Sequence, residues 1–196
     1  MASKQIIFAS HNAGKIKEIR TLLSPLGVDV LSAEEVDLED VPETGSTFEE
    51  NAKIKAFSAA KTAGLPALAD DSGLCIHALD NEPGIYSSRY AQKMGGYPTA
   101  FVDILKRLEN KSDKSAHFAC VLVFAFPNGE SKTFEGRVEG KIVTPRNGEN
   151  GFGFDPIFMP DGFTQSFAEL SETKKNSISH RGRAMHAFIE YLKENF

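Results

Sequence analysis

No long apolar run occurs in this sequence. After Met1-Ala2-Ser3-Lys4-Gln5 a hydrophobic stretch opens and stops at Ala9, far short of the roughly 20 residues of a membrane span and of a secretory-signal core. The expectation is a cytoplasmic protein with no membrane partner. Cysteine is sparse: Cys75 and Cys120 have apolar neighbours, no CxxC spacing, and no further thiol or histidine at metal-binding intervals. They read as reduced core residues. Positive charge is not in excess either. The formal net charge is -5, which argues against a nucleic-acid polymer as partner, because such binding relies on a basic surface that releases counterions. A small phosphorylated substrate remains compatible, since a few focused cations serve it on an acidic protein. Two nucleotide motifs are also missing. No GxGxxG follows the first strand, and the Walker A pattern fails because Ala9 and Ile16 stand where Gly and Ser/Thr are needed, which disfavours a dinucleotide site and a P-loop enzyme.

With 41% hydrophobic and 25% charged residues in 196, the chain has ordinary globular composition and room for one substantial core. It is read as a single domain over 1–196, shaped as two lobes around a cleft. Lys4 to Ala9 reads as a strand. Asn12 to Leu23 carries Ile16, Ile19, Leu22 and Leu23 at helical spacing and ends near Gly27. A second helix opens on the capping-box pattern Ser46-Thr47-Phe48-Glu49, runs with Ala52, Ala56, Ala59, Ala60 and Ala63 on one face, and closes at Gly64 and Pro66. Ala67-Leu68-Ala69 and Leu74-Cys75-Ile76 suggest short strands flanking an Asp70-Asp71-Ser72-Gly73 turn. Asp80 to Arg89 suggests a loop, and Thr99 to Leu108 a helix. His117 to Phe126, the turn Pro127-Asn128-Gly129-Glu130 and Ser131 to about Val138 read as a hairpin. Thr144 to Gly153 reads as a loop, and about Ser177 to Glu194 as the last helix. The alternation, interrupted by a hairpin, predicts an α/β fold with a mixed twisted sheet and flanking helices.

Five segments carry candidate chemistry, each beside a plainer reading. Ser10-His11-Asn12-Ala13-Gly14-Lys15 joins a strand to a helix, where backbone N–H groups and the helix dipole suit an anion; an ordinary helix cap with a solvated lysine is the alternative. Glu43, Asp70 and Asp71, near Glu49 and Glu50, offer the oxygen ligands magnesium prefers, although Asp-Ser-Gly also makes good turns. Asn51 and Lys55 border the alanine stripe, where Lys55 points into a cleft or snorkels over apolar surface. Gly151-Phe152-Gly153-Phe154-Asp155-Pro156 sets rings against a nucleobase or plugs the core with them. Lys174 to Arg183 is a cationic run leading into the last helix; cations there are unfavourable for the helix itself, so the run serves an anion or simply forms a solvated basic face.

In their order along the chain these segments resemble the inosine triphosphate pyrophosphatases, also described as non-canonical purine NTP pyrophosphatases. The resemblance rests on Ser10 to Lys15, Glu43-Thr44-Gly45 with Thr47 to Ala52, and Ala69 to Leu74. It continues through Pro83 to Tyr90, Gly151 to Pro156 and Ser179 to Gly182, and spans nearly the whole chain. The chain departs from the common pattern at Ser10-His11-Asn12, where many members have Thr-Gly-Asn or Thr-x-Asn, and at Phe154, where Tyr is common. The resemblance implies an elongated mixed sheet with a central cleft, Mg²⁺ dependence and a homodimer. It implies hydrolysis of nucleoside triphosphates such as ITP, dITP and XTP between the α- and β-phosphates. Ser10, His11, Asn12, Ala13, Gly14, Lys15 and Lys55 would hold phosphates. Glu43 and Asp71, with Asp70 close by, would hold magnesium, Asp71 would be general base, and Ser72 would lie beside the substrate. Phe152, Gly153, Phe154, Asp155, Lys175, His180 and Arg181 would enclose the base and nearby groups. The alternatives are a related-fold pyrophosphatase for modified pyrimidine or methylated nucleotides, and a nucleotide-binding regulator without catalysis.

Overall fold

Ile6, Ile7 and Phe8 expose no surface, and this continuous apolar run forms a strand covered on both faces, β1 (Lys4–Phe8). A computed structural model of the chain describes residues 4–146, 148 and 150–195; Met1-Ala2-Ser3, and Asn147 and Glu149 of the expected 144–153 loop, lie outside them. β1 pairs in parallel with β2 (Val28–Ser32) and with β3 (Ala67–Ile76). The crossover to β2 is α1 (Ala13–Leu23), which buries Ile19 and Leu23 and is followed by a 3₁₀ turn, Ser24–Leu26. Gly27, at a φ of 68°, ends this turn in the left-handed region that glycine enters without steric cost. The crossover to β3 is α2 (Phe48–Ala63), whose buried face is Asn51, Ala52, Ala56, Ala59 and Ala60.

The expected capping box is displaced by one residue. Thr47 is the N-cap, and its Oγ1 accepts from the Glu50 N–H, while the Glu50 carboxylate accepts from the backbone N–H and hydroxyl of Ser46.

β4 (Ser115–Ala125) and β5 (Ser131–Ile142) follow, joined by a tight turn in which Phe126 N–H donates to the Glu130 carbonyl. β6 (Phe158–Pro160) pairs antiparallel with β5. The six strands form one mixed sheet in the order β2-β1-β3-β4-β5-β6, which includes the antiparallel pairing the hairpin pattern predicts.

The chain divides into two compact units, Met1–Asp71 with Cys120–Glu135 and Ala184–Phe196, and Ser72–Ala119 with Gly136–Arg183. In the first unit, strand alternation sorts side chains between two clusters. Ile6 and Phe8 of β1 and Cys120, Leu122 and Phe124 of β4 pack with α1 and with α6 (His180–Asn195), through Ile19, Leu23, Met185 and Phe188. Ile7, Val121, Val123 and Ala125 face the alanines of α2. Each fully buried Ile or Phe contributes roughly 1.5–3 kcal/mol, so a one-residue slip, which exchanges the two faces, is strongly disfavoured. The second unit has its own core. There Ala100, Phe101, Ile104 and Leu108 of α4 (Tyr97–Leu108) pack with Leu74, Ile76, Phe118, Phe158 and Phe167.

Three local expectations are corrected. Asp70 to Gly73 is no turn: β3 continues through it. A turn would present the aspartates to water, whereas here both are buried with cationic or amide partners. Gly73 is needed for space, since a Cβ there would lie 2.1 Å from the Gly84 carbonyl oxygen and 2.7 Å from Ser87 Oγ. Gly73→Ala should therefore cost about 1–3 kcal/mol or more, measured as a lower denaturant midpoint at unchanged slope; a wild-type midpoint would contradict this packing. The expected 80–89 loop ends early, because Gly84–Tyr86 forms a 3₁₀ turn that runs into α3 (Ser87–Lys93). The last helix, α6, begins at His180 and not at about Ser177, because a separate short helix, α5 (Glu172–Ile178), precedes it and the chain breaks at Ser179. Ser179 adopts extended backbone and its hydroxyl accepts from the Gly182 N–H. A Cβ on Gly182 would meet the Asn176 carbonyl oxygen at 1.8 Å, so the sharp break and the glycine require each other. Among the described residues no helix is long and apolar enough to cross a membrane.

Candidate functional site

In the first unit, the β1–α1 connection spends two side chains on its own shape. Ser10 Oγ accepts from the Asn12 N–H at 3.2 Å, and Asn12 Oδ1 caps α1 by accepting from the Lys15 N–H at 3.1 Å. The cap is thus real, and the first turn of α1 carries no acidic residue to offset the positive end of its dipole. Ala13 and Gly14 form the opening of that turn. His11 Nδ1 lies 2.8 Å from Asp40 Oδ1. A pocket open to solvent is lined by Ala9, His11, Asp40, Lys55 and Ser58, among others.

Lys15 does not stand free in solvent, because its Nζ donates to Asp70 at 3.0 Å. Lys55 Nζ donates to Glu43 at 2.7 Å and lies 3.7 Å from Asp71 Oδ1. Burial pulls the Lys55 pKa down, but Asp70, Asp71 and Glu43 outweigh it and hold the value above that of an ordinary lysine. Asp71 is 5% exposed. Burial pushes its carboxyl up to about 6; Lys55 and Asn51 pull against that, while Glu43 and Asp70 add to it. Glu43, Asp70 and Asp71 thus gather around Lys15 and Lys55, and their all-oxygen donor set fits a hard divalent cation.

Asn51, singled out in the sequence beside Lys55 without a role of its own, organises this group. Fully buried in α2, its amide accepts from the Gly45 N–H at 2.8 Å and donates to Asp71 Oδ2 at 3.1 Å. Asparagine beside an alanine stripe, in a position that favours neither helix propensity nor burial, is the signal that points to it.

In the second unit, Gly151 and Gly153 take φ values of 85° and 64°, so the backbone on both sides of Phe152 needs glycine. Asp155, 3% exposed, accepts from the Phe152 N–H at 2.7 Å and from Lys175 Nζ at 2.8 Å. Lys175 Nζ lies 4.6 Å from the Phe152 ring centroid and the Arg181 guanidinium 5.5 Å from it. Arg181 also donates to Ser72 Oγ at 3.1 Å. The ring held by cations is that of Phe152. Phe154 is buried with Tyr97 and Phe101, its ring centroid 5.1 Å from that of Tyr97, which is packing that anchors the loop. His180 stacks on Phe118 at 4.7 Å. Lys175 is buried within α5, so the basic run is no uniformly solvated face.

One further cluster has no signature in the sequence. His77, His117 and Glu139 place ligand atoms within 4.8 Å of one another, the one such set of three metal-ligating residues among those described. The two histidines are forty positions apart and meet only through sheet pairing.

The chain is similar over nearly its full length to known proteins. It is 47% identical over 185 residues to a dITP/XTP pyrophosphatase of Gluconobacter oxydans, covering 94% of this chain and 89% of that protein. Among solved structures, a HAM1 protein from Coxiella burnetii matches with a TM-score of 0.89 and 45% identity, over 97% of this chain and 98% of that one. The Staphylococcus aureus Ham1 protein matches with a TM-score of 0.87 and 41% identity, over 98% and 100%. The family model described as the Ham1 family matches residues 6–191, from the first buried position of β1 into the last turns of α6, and by that coverage the chain belongs to the Ham1 family.

Proposed function

We propose that this chain is a nucleoside-triphosphate pyrophosphatase that hydrolyses non-canonical purine nucleotides, ITP, dITP and XTP, to the monophosphate and pyrophosphate. The observation that carries the reading is Asp71: a buried carboxyl raised to about 6, held by Asn51 and faced by Lys55 and Glu43, in a family whose relatives include a dITP/XTP pyrophosphatase. The ionised carboxylate, held by Asn51, is placed to accept a proton from an attacking water. Glu43 and Asp71, with Asp70, would hold Mg²⁺, which when bound offsets charge on the phosphates and on the leaving pyrophosphate. Asp71 orients a water and accepts its proton as the water oxygen bonds to the α-phosphorus and the bond to the bridging oxygen breaks. Lys15, Lys55 and the first turn of α1 bind the triphosphate, since this chemistry depends chiefly on placement and electrostatics. Recognition of the base falls to the second unit, with Phe152 as stacking ring, Asp155, Lys175 and His180 reading polar edges, and Arg181 bonded to Ser72, the residue that follows Asp71 in β3. A cytoplasmic location and a homodimer complete the proposal on the strength of the sequence resemblance.

The test is pyrophosphate release by purified protein from ITP, dITP, XTP, GTP, ATP, dUTP and methylated triphosphates, with and without Mg²⁺. The 6-oxo purines ITP, dITP and XTP should exceed ATP by orders of magnitude in kcat/KM, because donors aimed at a 6-oxo group are left unpaired by adenine's amino group, and sites of that kind discriminate by roughly 10⁴–10⁵. Equal kcat/KM for ITP and ATP would refute the purine-selective reading, and equal rates without Mg²⁺ would refute the cation's part.

A further inference from the structure

His77, His117 and Glu139 have no part in the proposed reaction. They come from three neighbouring strands of the second unit: His77 directly follows β3, His117 lies in β4 and Glu139 in β5. His77 Nε2 and His117 Nδ1 are 2.9 Å apart, so one of them carries a hydrogen and the other presents a lone pair to it. We propose that this cluster is a binding site for a borderline divalent cation of the Zn²⁺ class, which takes His77 Nε2, His117 Nδ1 and a Glu139 carboxylate oxygen as ligands while the hydrogen between the rings moves to His117 Nε2.

The donor set favours such an ion over Mg²⁺, because two imidazoles with one carboxylate suit zinc and its neighbours, whereas magnesium prefers oxygen alone. The outer shell is also in place. Ser115 Oγ lies 2.8 Å from His77 Nδ1; accepting that nitrogen's hydrogen, it leaves Nε2 with its lone pair directed at the metal position, the arrangement that orients metal-binding histidines. His117 is 8% exposed and its Nδ1 lies 2.9 Å from His77 Nε2, so the fold holds the two ring nitrogens facing one another. One group opposes the ion. Arg137 is hydrogen-bonded to Glu139 and must release it. Asp113, which accepts from the Ser115 N–H at 2.8 Å, adds negative charge beside the outer partner. Each ring stays neutral with one hydrogen, His77 on Nδ1 towards Ser115 and His117 on Nε2, so the balance is one metal in and no proton out.

Isothermal titration of Zn²⁺ into the full chain, with Mg²⁺ in excess to occupy oxygen-only sites, tests this. One micromolar or tighter site is expected. His77→Gln and His117→Gln should each weaken it about tenfold or more, and Ser115→Ala by about tenfold, the scale for losing an outer partner. Arg137→Gln should tighten it, a result no merely structural role predicts. Pyrophosphate release by His77→Gln should stay at the wild-type level, which shows that its fold is intact; this variant decides the matter if His117→Gln does not fold. Absence of micromolar zinc binding, or the same affinity in His77→Gln as in wild type, overturns the proposal.

Discussion

Asp71→Asn should lower kcat by about 10²-fold or more, the scale for losing a positioned acid–base group, without lowering the melting temperature of the metal-free protein. The two halves of this expectation share one cause. The folded environment raises the Asp71 pKa from 3.8 to about 6, and burial contributes most to that rise. A group that binds its proton more tightly when folded contributes stability that is fully present below pH 3.8 and is lost as pH rises through about 6. At neutral pH the ionised carboxylate is therefore a net cost to folding. The neutral amide removes that cost, can keep an oxygen to accept from Asn51, and leaves Lys55 its 2.7 Å bond to Glu43. Pyrophosphate release under saturating ITP and Mg²⁺ checks the first half and calorimetry in chelator the second. Wild-type turnover would remove Asp71 from the reaction; a much lower melting temperature would mean that its charge supports the fold.

Asp155→Ala should destabilise the protein by about 3–5 kcal/mol, the usual cost of removing one partner of a buried ion pair. Lys175 and Asp155 are each 3% exposed, so solvent cannot compensate the ammonium left behind. The Phe152 N–H also loses its acceptor, and the Phe152 turn loses the carboxylate that ties it to α5. Combining Asp155→Leu with Lys175→Met should recover most of that stability, because a well-packed apolar pair often matches or exceeds a buried ion pair. The double variant should still show a raised KM for ITP if the pair reads the base. Denaturant titration separates the single from the double variant. A double variant with unchanged KM would confine Asp155 and Lys175 to structure.

How far these features could be read from the chain depends on their range. The β1 run, the alanine face of α2, the Gly64 terminus and the α4 pattern are local, and the helical and strand periods report them directly. The Asp70-Asp71-Ser72-Gly73 segment misleads for the same reason: its residues favour turns, and only the lysines, Asn51 and the Gly84 carbonyl around it make an extended strand the better state. The Ser179 break is ambiguous locally, since Ser177 and Ser179 are both capping types, and the Gly182–Asn176 contact selects the second.

By itself the sequence determined the types of chemistry present and their order: an anion-suited helix start, carboxylates for a hard cation, cations near the end, and glycines around Phe152. These are properties of residues and of neighbours a few positions apart. The tertiary structure alone decided which groups meet: Lys15 with Asp70, Asn51 with both Gly45 and Asp71, Lys175 with Asp155, and His77 with His117. The physical reason is that strand order and burial set these meetings, and burial is also what lifts Asp71 toward neutrality, an effect that no spacing along the chain encodes.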